Sequence, residues 1–414
     1  MTSVVARGGC LYIEHVALDE VAARYGTPCF VYSRAALEGA YRDFDRAFAR
    51  LRHLVCYALK ANSNLAVLDV FARLGSGFDV VSGGELARVI AAGGDPAKTV
   101  FSGVGKTDAE LAQGLKLGIL CFNVESASEL EHLSQIAVRS GKEAPVSLRV
   151  NPDVDPRTHP YISTGLKQSK FGVAFDDAAE LYRRAAVLPG IRIRGIDMHI
   201  GSQITALEPY REAATKLLEL VDKLAAEGTR FEHIDLGGGL GIRYHDETPV
   251  DLADYAAMIA ALFRDRPEMV VLEPGRRLTG NAGVLLTRVA YLKPGPERSF
   301  AVVDAAMNDL LRPALYGARH EVVAVRPRPE RPDTWQVVGP ICESADFLAG
   351  DCKLALAEGD LLAILSAGAY AMAMSSNYNS RPRAAEVLVD GERMHLVGRR
   401  ETVDELFARE SRLP

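Results

Sequence analysis

Cysteine is scarce and dispersed in this sequence. The six cysteines among 414 residues are Cys10, Cys29, Cys56, Cys121, Cys342 and Cys352. No two of them form a Cys-x-x-Cys pair, so their spacing argues against a disulfide framework and against a zinc site. The pattern indicates reduced thiols in a cytoplasmic protein, and we expect no bound metal.

Long apolar runs and an excess of positive charge are missing as well. No stretch approaches the roughly 20 apolar residues of a membrane-spanning helix. The first ten residues, MTSVVARGGC, contain no long apolar segment, so we expect neither a membrane span nor a secretory signal. The formal net charge of -6 argues against a general nucleic-acid binder.

The sequence does contain an alternation of short apolar runs with helical patterns, between about residues 35 and 275. The eight runs are HLVCYALKA, GFDVVSG, TVFSGVG, LCFNVES, VSLRVNP, IRGIDMHIG, HIDLGGG and MVVLEP. The segments between them, such as ESASELEHLSQIAVRSG, have the apolar spacing of helices and end near a glycine. This pattern predicts an α/β fold with a (β/α)8 TIM-like barrel rather than an open sheet, and such barrels build their active sites where the strands end.

After residue 280 the pattern changes to strands with a period near two. Runs such as GVLLTRVAYL and TWQVVGP are separated by Pro and Gly turns, and VDGE (389–392) is a hairpin signal. We predict a C-terminal antiparallel β domain that includes the N-terminal segment. The predicted limits are 1–34 for the N-terminal segment packing with the β domain, 35–280 for the barrel, and 281–414 for a sandwich or barrel-like β domain.

One lysine stands at the end of the first predicted barrel strand. In CYALKANSN (56–64), Lys60 follows an apolar stretch and precedes a polar turn. Desolvation favours the neutral amine of a lysine, which can form a Schiff base with an aldehyde. Taken alone, Lys60 favours a simpler interpretation, a lysine with a buried stem whose charged end reaches water.

Glycine loops follow the seventh and eighth predicted strands. Gly237, Gly238 and Gly239 end HIDLGGG, and EPGR supplies Gly275 and Arg276. Consecutive glycines let an anion approach the backbone, and barrels commonly bind phosphate at the loops after strands seven and eight. A Rossmann dinucleotide turn is a rival interpretation, but it belongs to the first βα unit of its fold. A purely structural tight turn is a second alternative.

An amine on strand one and an anion cradle after strands seven and eight predict a ligand with an aldehyde and a phosphate. That ligand is pyridoxal 5′-phosphate. Its ring accepts electrons when the ring nitrogen stays protonated by a carboxylate partner, and Glu273, ending strand eight, is placed for that role. The alternative for Glu273 is a salt bridge in the barrel rim. In MHIGSQ, His199 is placed to lie against the ring and Ser202 to reach the phosphate, although a lone histidine is more often structural.

The motifs of the chain match a family. They are, in order, YALKANSN, FDVVSGGEL, HPYISTGLKQSKFG, HIGSQI, DLGGGLG, EPGR, MNDLLRPALYGARH, CESAD and AGAYAMAMSSNYNSRPR. From about residue 25 to 400 the chain resembles the diaminopimelate decarboxylases, an alanine-racemase-like, fold-type III family of pyridoxal-phosphate enzymes. EPGR also occurs in ornithine and arginine decarboxylases, whereas RPALY, CES and SSNYN together are specific to the diaminopimelate branch.

The resemblance implies roles for individual residues. Those implied for cofactor binding are Lys60, Asp79, His199, Ser202, Gly238, Gly239, Glu273, Pro274, Gly275, Arg276 and Tyr378. Lys60 resembles the Schiff-base lysine, and Glu273 the partner of the pyridine nitrogen. Glu85 resembles a second acidic residue near the lysine, and Arg149 matches a position lining the same pocket.

The implied reaction is decarboxylation of meso-2,6-diaminopimelate at its D-centre to L-lysine and CO2, the last step of lysine biosynthesis. This substrate has an amino acid head at each end, so its distal end needs partners of its own. Arg276 and Arg312 provide forked contacts for the distal carboxylate, and Glu343 pairs with the distal ammonium. Tyr316, one helical turn after Arg312, and Tyr378 complete the substrate set. RPALY alone would leave Arg312 as a surface residue.

Cys342 resembles the thiol that protonates the substrate carbon after CO2 leaves, and a thiol can donate a proton near pH 7. Its alternative is a small buried apolar residue. In the family, CES reaches the neighbouring subunit's site, so the resemblance implies a homodimer with shared active sites.

Two other functions stay open. One is a related fold-type III basic amino-acid decarboxylase or racemase, against which Arg312, Tyr316 and Glu343 argue. The other is a homologue without catalytic activity, against which the presence of Lys60 and Cys342 argues.

Overall fold

The computed structural model describes residues 3–166 and 168–414. The chain divides into two compact units. The unit that we call the β unit comprises Met1–Gly39, Arg243–Glu247 and Leu278–Pro414, and the barrel unit comprises Ala40–Ile242 and Thr248–Arg277. None of the helices in the two described ranges combines the length and the apolar character that crossing a membrane requires.

The strands are numbered in chain order. They are β1 (Val4–Arg7), β2 (Cys10–Ile13), β3 (Val16–Ala17), β4 (Cys29–Ser33), β5 (His53–Ala58), β6 (Gly77–Val80), β7 (Thr99–Phe101), β8 (Cys121–Val124), β9 (Ala144–Asn151), β10 (Val173–Ala174), β11 (Ile191–Asp197), β12 (His233–Asp235), β13 (Met269–Leu272), β14 (Gly283–Lys293), β15 (Ser299–Val303), β16 (Val322–Ala324), β17 (Asp333–Val338), β18 (Phe347–Leu354), β19 (Leu361–Ile364), β20 (Ala385–Asp390) and β21 (Arg393–Gly398).

The α-helices are numbered in the same way. They are α1 (Leu18–Tyr25), α2 (Arg34–Ala47), α3 (Leu65–Arg73), α4 (Gly83–Ala91), α5 (Asp108–Leu117), α6 (Ala127–Arg139), α7 (Ala178–Val187), α8 (Glu208–Ala226), α9 (Leu252–Leu262), α10 (Arg276–Thr279), α11 (Arg312–Tyr316) and α12 (Val403–Leu406).

Eight parallel strands close the barrel unit. The order around the barrel is β5, β6, β7, β8, β9, β11, β12 and β13, and β13 pairs with β5 through Leu272 and Val55. Strands such as β6, β7 and β8 are buried at every residue. This is the burial expected for parallel strands covered by helices outside and by packed side chains inside. All eight predicted barrel strands are present, and the fold prediction is confirmed.

Polar caps begin many of the helices that follow the barrel strands. The side chains of Asn64, Ser82, Ser126 and Asp251 each accept a hydrogen bond from a backbone N–H of the first turn of α3, α4, α6 and α9. Thr107 and Glu110 form a capping box at α5. Since each cap satisfies an otherwise unpaired N–H, the chain turns into a helix soon after a strand ends.

The β unit contains a mixed sheet and a small antiparallel sheet. The larger sheet runs β18-β17-β15-β14-β4-β20-β21, and β19 and β16 extend it from β14. Most pairings are antiparallel, as predicted, but β15–β17 and β4–β20 are parallel. The hairpin predicted at VDGE joins β20 to β21, with Asp390 opposite Arg393. The small sheet contains β1, β2 and β3.

The N-terminal segment belongs to the β unit, as the fold prediction expected. β4 lies between β14 and β20 in the larger sheet. One hydrophobic core contains Leu18 and Val31 from the N-terminal segment together with Val284 and Val387 from the C-terminal part.

Candidate active site

Lys60 lies in a 3-10 turn, Leu59–Ala61, directly after β5. Its Nζ donates a hydrogen bond to Oδ2 of Asp79 over 2.5 Å. The Asp79 side chain, on β6, is fully buried, whereas the Lys60 side chain is 36% exposed. The amine is therefore fixed at the C-terminal end of the first barrel strand with part of its surface open. Burial raises the pKa of Glu85 on α4, and the positive charge of Lys60 offsets this only in part.

The loop after the eighth barrel strand contacts the turn that contains Lys60. The N–H of Ala58 donates to the Pro274 carbonyl over 3.2 Å. A Cβ at Gly275 would lie 3.0 Å from the Cβ of Ala61 and 3.2 Å from that of Ala58. A side chain at position 275 would therefore press on Ala58, which precedes the Lys60 turn, and on Ala61, which ends it. This close approach explains the glycine at this position.

The glycine loop after the seventh barrel strand packs on the eighth through its backbone. Gly237 accepts a hydrogen bond from the N–H of Glu273 over 2.8 Å. A Cβ at Gly238 would lie 2.0 Å from the Glu273 carbonyl oxygen, and one at Gly239 would lie 2.2 Å from that of Gly201. Gly239 also has a φ of +101°. These contacts require glycine, and the two predicted glycine loops are brought together.

Arg276 and Ser202 form the polar side of the same barrel end. Nη2 of Arg276 donates to the hydroxyl oxygen of Ser202 over 2.9 Å, and Arg276 is only 4% exposed. A guanidinium beside a hydroxyl, next to glycine loops, is a set of groups suited to a phosphate.

His199 follows β11 and contacts the glycine loop. The backbone N–H of Gly238 donates to Nδ1 of His199 over 3.1 Å, so this nitrogen accepts and carries no proton. Burial, reinforced by the positive charges of Arg149 and Lys60, lowers the pKa of the His199 imidazole well below its usual range. The ring is therefore neutral, and the geometry and the electrostatics agree.

Glu273 belongs to a cluster of three buried carboxyl groups. One oxygen each of Asp197, Asp235 and Glu273 lie within 4.8 Å of one another. The three residues end or follow the adjacent strands β11, β12 and β13, and Asp197 and Asp235 are register partners. Burial and the neighbouring carboxylate of Asp235 raise the pKa of both Glu273 and Asp197. The cluster therefore binds protons more readily than exposed carboxylates do.

The sequence reasoning missed Asp197 and Asp235. Each stands inside an apolar strand run, IRGIDMHIG or HIDLGGG, where a charged residue is expensive to bury. The available signal was an acidic residue in the last position of a buried strand. Both runs also contain residues that are predicted for the site, His199 in the first and Gly238 in the second.

The barrel-unit residues fit pyridoxal 5′-phosphate. Oε1 of Glu273 is buried and has no hydrogen-bond partner among the described residues, which suits a carboxyl that meets a pyridine nitrogen. Lys60 supplies an amine for the aldehyde, and Ser202 and Arg276 supply donors for the phosphate. These residues lie at the same ends of neighbouring barrel strands.

Two residues predicted for the substrate and the predicted proton donor lie on two adjacent loops of the β unit. The Tyr378 hydroxyl donates to the carboxylate of Glu343, which raises the pKa of Tyr378. The N–H of Cys342 donates to Oδ1 of Asn379 over 3.0 Å. Cys342, Glu343 and Tyr378 are all exposed. The alternative of a buried apolar Cys342 is therefore wrong.

Arg312 and Tyr316 are the first and last residues of α11. The helical turn expected between them is present, and it ends at Gly317 with a φ of +60°. Arg312 is buried at 3% exposure, so the alternative of a surface arginine is wrong, and Tyr316 is half-buried.

Comparisons of this chain with known proteins all indicate the same family. Residues 34–280 match the model of the pyridoxal binding domain of pyridoxal-dependent decarboxylases. The chain is 61% identical to a diaminopimelate decarboxylase of Pseudomonas aeruginosa, covering 98% of this chain and 97% of that protein. It is 55% identical to that of Vibrio cholerae, covering 98% of each.

Solved structures of similar shape carry the same name. Diaminopimelate decarboxylase from Helicobacter pylori, complexed with L-lysine, superimposes with a TM-score of 0.92 at 40% identity over 95% of this chain and 99% of that one. The enzyme from M. jannaschii, also complexed with L-lysine, gives a TM-score of 0.95 at 37% identity over 100% and 98%. The chain belongs to the diaminopimelate decarboxylase family of pyridoxal-dependent decarboxylases.

Proposed function

We propose that this chain decarboxylates meso-2,6-diaminopimelate at its D-centre to give L-lysine and CO2, with pyridoxal 5′-phosphate as cofactor. The observation that carries the proposal is the packing of the Lys60 turn against Gly275, which puts an amine and a phosphate-type loop at one barrel end. The names of the full-length relatives and the L-lysine in two similar structures support this substrate and product.

The barrel-unit residues bind and orient the cofactor in this proposal. When bound, pyridoxal 5′-phosphate supplies an aldehyde that condenses with amines and a ring that accepts the electron pair released with CO2. Lys60 is the catalytic amine. Ser202, Gly238, Gly239, Gly275 and Arg276 hold the phosphate end, and Pro274 keeps the loop against β5.

Two further side chains set the state of the ring. Glu273 would keep a proton at the pyridine nitrogen, because the negative charge that it shares with the neighbouring carboxyl groups of Asp235 and Asp197 favours a positively charged partner. Neutral His199 lies against the ring face without adding a positive charge that would compete with that proton. Asp79 fixes the Lys60 amine before substrate arrives.

Specificity for diaminopimelate comes from groups that bind its distal amino acid head. We assign the distal carboxylate to Arg276 and Arg312 and the distal ammonium to Glu343, with Tyr316 and Tyr378 beside them. The hydrogen bond from Tyr378 to Glu343 supports the placement of that carboxylate, since it fixes the oxygen atoms. A substrate with an apolar or amine-only distal end would leave these charges unpaired.

Cys342 is the second catalytic residue, and we assign to its thiol the proton that replaces CO2 on the substrate carbon. Cys342, Glu343 and Tyr378 are exposed in the single chain, although such groups work best away from water. Their exposure supports a homodimer in which the loops of one subunit complete the site of the other. The six unpaired cysteines support a cytoplasmic location.

A CO2-release assay with a substrate panel tests the proposal. The purified holoenzyme is given meso-diaminopimelate, L-ornithine, L-arginine, L-lysine and a D-amino acid in parallel, and L-lysine and racemised products are measured by chiral chromatography. We expect stoichiometric CO2 and L-lysine from meso-diaminopimelate alone. Preferred turnover of a diamine precursor, racemisation, or cofactor binding without any turnover would each reject it.

A further inference from the structure

We propose that His320 and Tyr244 are positioning residues that fix the guanidinium of Arg312 for the distal carboxylate of the substrate. This inference rests on the proposed function, in which Arg312 binds that carboxylate. The proposed site gives no role to His320, the last residue of RPALYGARH, or to Tyr244, in the segment Arg243–Glu247. This inference assigns one to each.

Arg312 lies between an aromatic ring and an imidazole. Its guanidinium carbon is 3.9 Å from the centroid of the Tyr244 ring, a distance at which the two planes stack. Nη1 of Arg312 is 2.7 Å from Nε2 of His320. The Tyr244 and His320 rings contact each other edge to face, with centroids 4.9 Å apart. All three residues are buried at 3% exposure.

The hydrogen bonds assign the tautomer of His320. Nδ1 of His320 lies 2.8 Å from the carbonyl oxygen of Leu365, which can only accept, so Nδ1 carries the proton. A guanidinium can only donate, so Nε2 accepts from Arg312 and carries no proton. The ring is therefore neutral, with its proton on Nδ1. Neither Tyr244 nor His320 contributes a negative charge, so these two groups orient the cation without neutralising it.

The turn after α11 makes this arrangement possible. α11 ends at Gly317 in the left-handed region, and three residues later His320 precedes β16. The chain thereby returns to the first residue of the helix. Arg312 is fixed at its Cα by the helix and at Nη1 by a backbone-anchored imidazole, which reduces the rotamer entropy that an arginine loses on binding a carboxylate.

A matched pair of amide variants isolates the contact with Arg312. The amide oxygen of His320→Gln reaches the position of Nε2 and can accept from Arg312. The shorter side chain of His320→Asn reaches only the position of Nδ1, so it retains a donor for Leu365 but loses the acceptor. A lost hydrogen bond to a charged group corresponds to roughly a 10- to 100-fold change in affinity.

We expect His320→Asn to raise the KM for meso-diaminopimelate about 10-fold or more with a small change in kcat, since a positioning residue for ground-state binding acts on KM. His320→Gln should keep the KM within about 3-fold of the wild type. Likewise Tyr244→Phe, which keeps the ring face, should retain the KM, and Tyr244→Leu should raise it. Visible absorbance of the bound cofactor and the Tm verify that each variant is folded and loaded.

A second readout needs no substrate. Nitrogen-15 NMR of the holoenzyme with labelled histidine reports which ring nitrogen of His320 has the proton. The His320 signals are identified as those that are missing in His320→Asn. We expect the proton on Nδ1 and an unprotonated Nε2 near neutral pH. The opposite tautomer, or a doubly protonated ring, would overturn the inference whatever the substrate proves to be.

The outcomes separate this inference from the function on which it rests. Arg312→Ala is the reference: if it leaves the KM for meso-diaminopimelate unchanged, the role proposed for Arg312 is wrong. If Arg312→Ala raises the KM but His320→Asn and Tyr244→Leu do not, the role of Arg312 stands and the positioning inference is rejected. The positioning inference would also be rejected if His320→Asn lowered kcat and left the KM unchanged.

Discussion

Nζ of Lys60, in the turn after β5, lies 2.5 Å from Oδ2 of Asp79 on the neighbouring strand β6, and the lysine side chain is partly exposed whereas that of Asp79 is fully buried. Asp79 is in turn buried beside β5 and β7, so it has little freedom to move. The pair therefore fixes the position of the amine, while the open side of Lys60 remains available to a small molecule.

Replacing Lys60 with alanine should abolish the visible absorbance of the bound cofactor and all decarboxylation, because the amine held by Asp79 is the one that the proposal assigns to the cofactor aldehyde. Absorbance spectra of the dialysed protein after incubation with pyridoxal 5′-phosphate measure this. Lys98→Ala is the control and should keep the spectrum, because Lys98 directly precedes β7 and its exposed amine donates a hydrogen bond to the Gly75 carbonyl, which lies before the start of β6. A wild-type-like spectrum for Lys60→Ala would falsify the assignment of the catalytic amine.

Replacing Glu273 with glutamine should lower kcat by about 100-fold or more while the cofactor stays bound. The amide has the size of the carboxyl, but it cannot share a proton with the pyridine nitrogen, so the ring accepts electrons poorly. Steady-state kinetics and the visible spectrum should be recorded together, with the exposed Glu143→Gln as control. Unchanged kcat in a fully loaded variant would contradict the role of Glu273.

The cofactor-free protein should lose stability as the pH rises from 5 to 8, in part through Asp235. Burial raises the pKa of Asp235 from 3.8 to about 7, although the hydrogen bond from the Gly237 N–H lowers it. Between these pH values the folded state binds a proton that the unfolded state has released, so the free energy of unfolding falls with rising pH. In Asp235→Asn this contribution is absent.

The comparison to make is the Tm of cofactor-free Asp235→Asn minus that of the wild type, measured by calorimetry from pH 5 to pH 8. The asparagine keeps an oxygen for the Gly237 N–H, so the fold should survive. We expect the difference to increase with pH. A difference that does not depend on pH would mean that Asp235 titrates as an ordinary carboxylate.

Replacing Cys342 with alanine should leave the KM for meso-diaminopimelate nearly unchanged and lower kcat by about 100-fold or more. The reason is that the missing proton donor acts only after the substrate has bound. Single-turnover mixing should show substrate binding followed by slow product formation. Cys352→Ala, a change at a half-buried cysteine of the same unit, is the control and should turn over normally. Equal single-turnover rates for both variants would remove Cys342 from the mechanism.

The barrel and its site loops could be predicted from sequence because each relevant signal is local. A buried strand, a polar residue at its end and a capped helix lie close together in the sequence, so Lys60, Gly238 and Glu273 could be predicted for the site from their positions, and all three lie after or at the end of barrel strands. The resemblance added residues that no local rule selects, such as Arg312 and Cys342.

Other features depend on contacts that are distant in sequence. β18 was not predicted, because Gly350 and Asp351 interrupt it and Asp351 has a φ of +53°. The parallel pairing of β4 with β20 cannot be inferred from either strand alone. The stacking of Arg312 on Tyr244 could not be predicted for the same reason, since Tyr244 lies almost 70 residues away in the sequence.

The place of β4 between β14 and β20 has a consequence during synthesis. This strand emerges from the ribosome roughly 250 residues before the first of its two neighbours, and at about 5–20 residues per second it waits tens of seconds with both edges unpaired. A nascent chain arrested within the barrel would expose CFVYS to aggregation or to chaperones. Expression of residues 278–414 alone should yield insoluble protein that a co-expressed N-terminal fragment rescues.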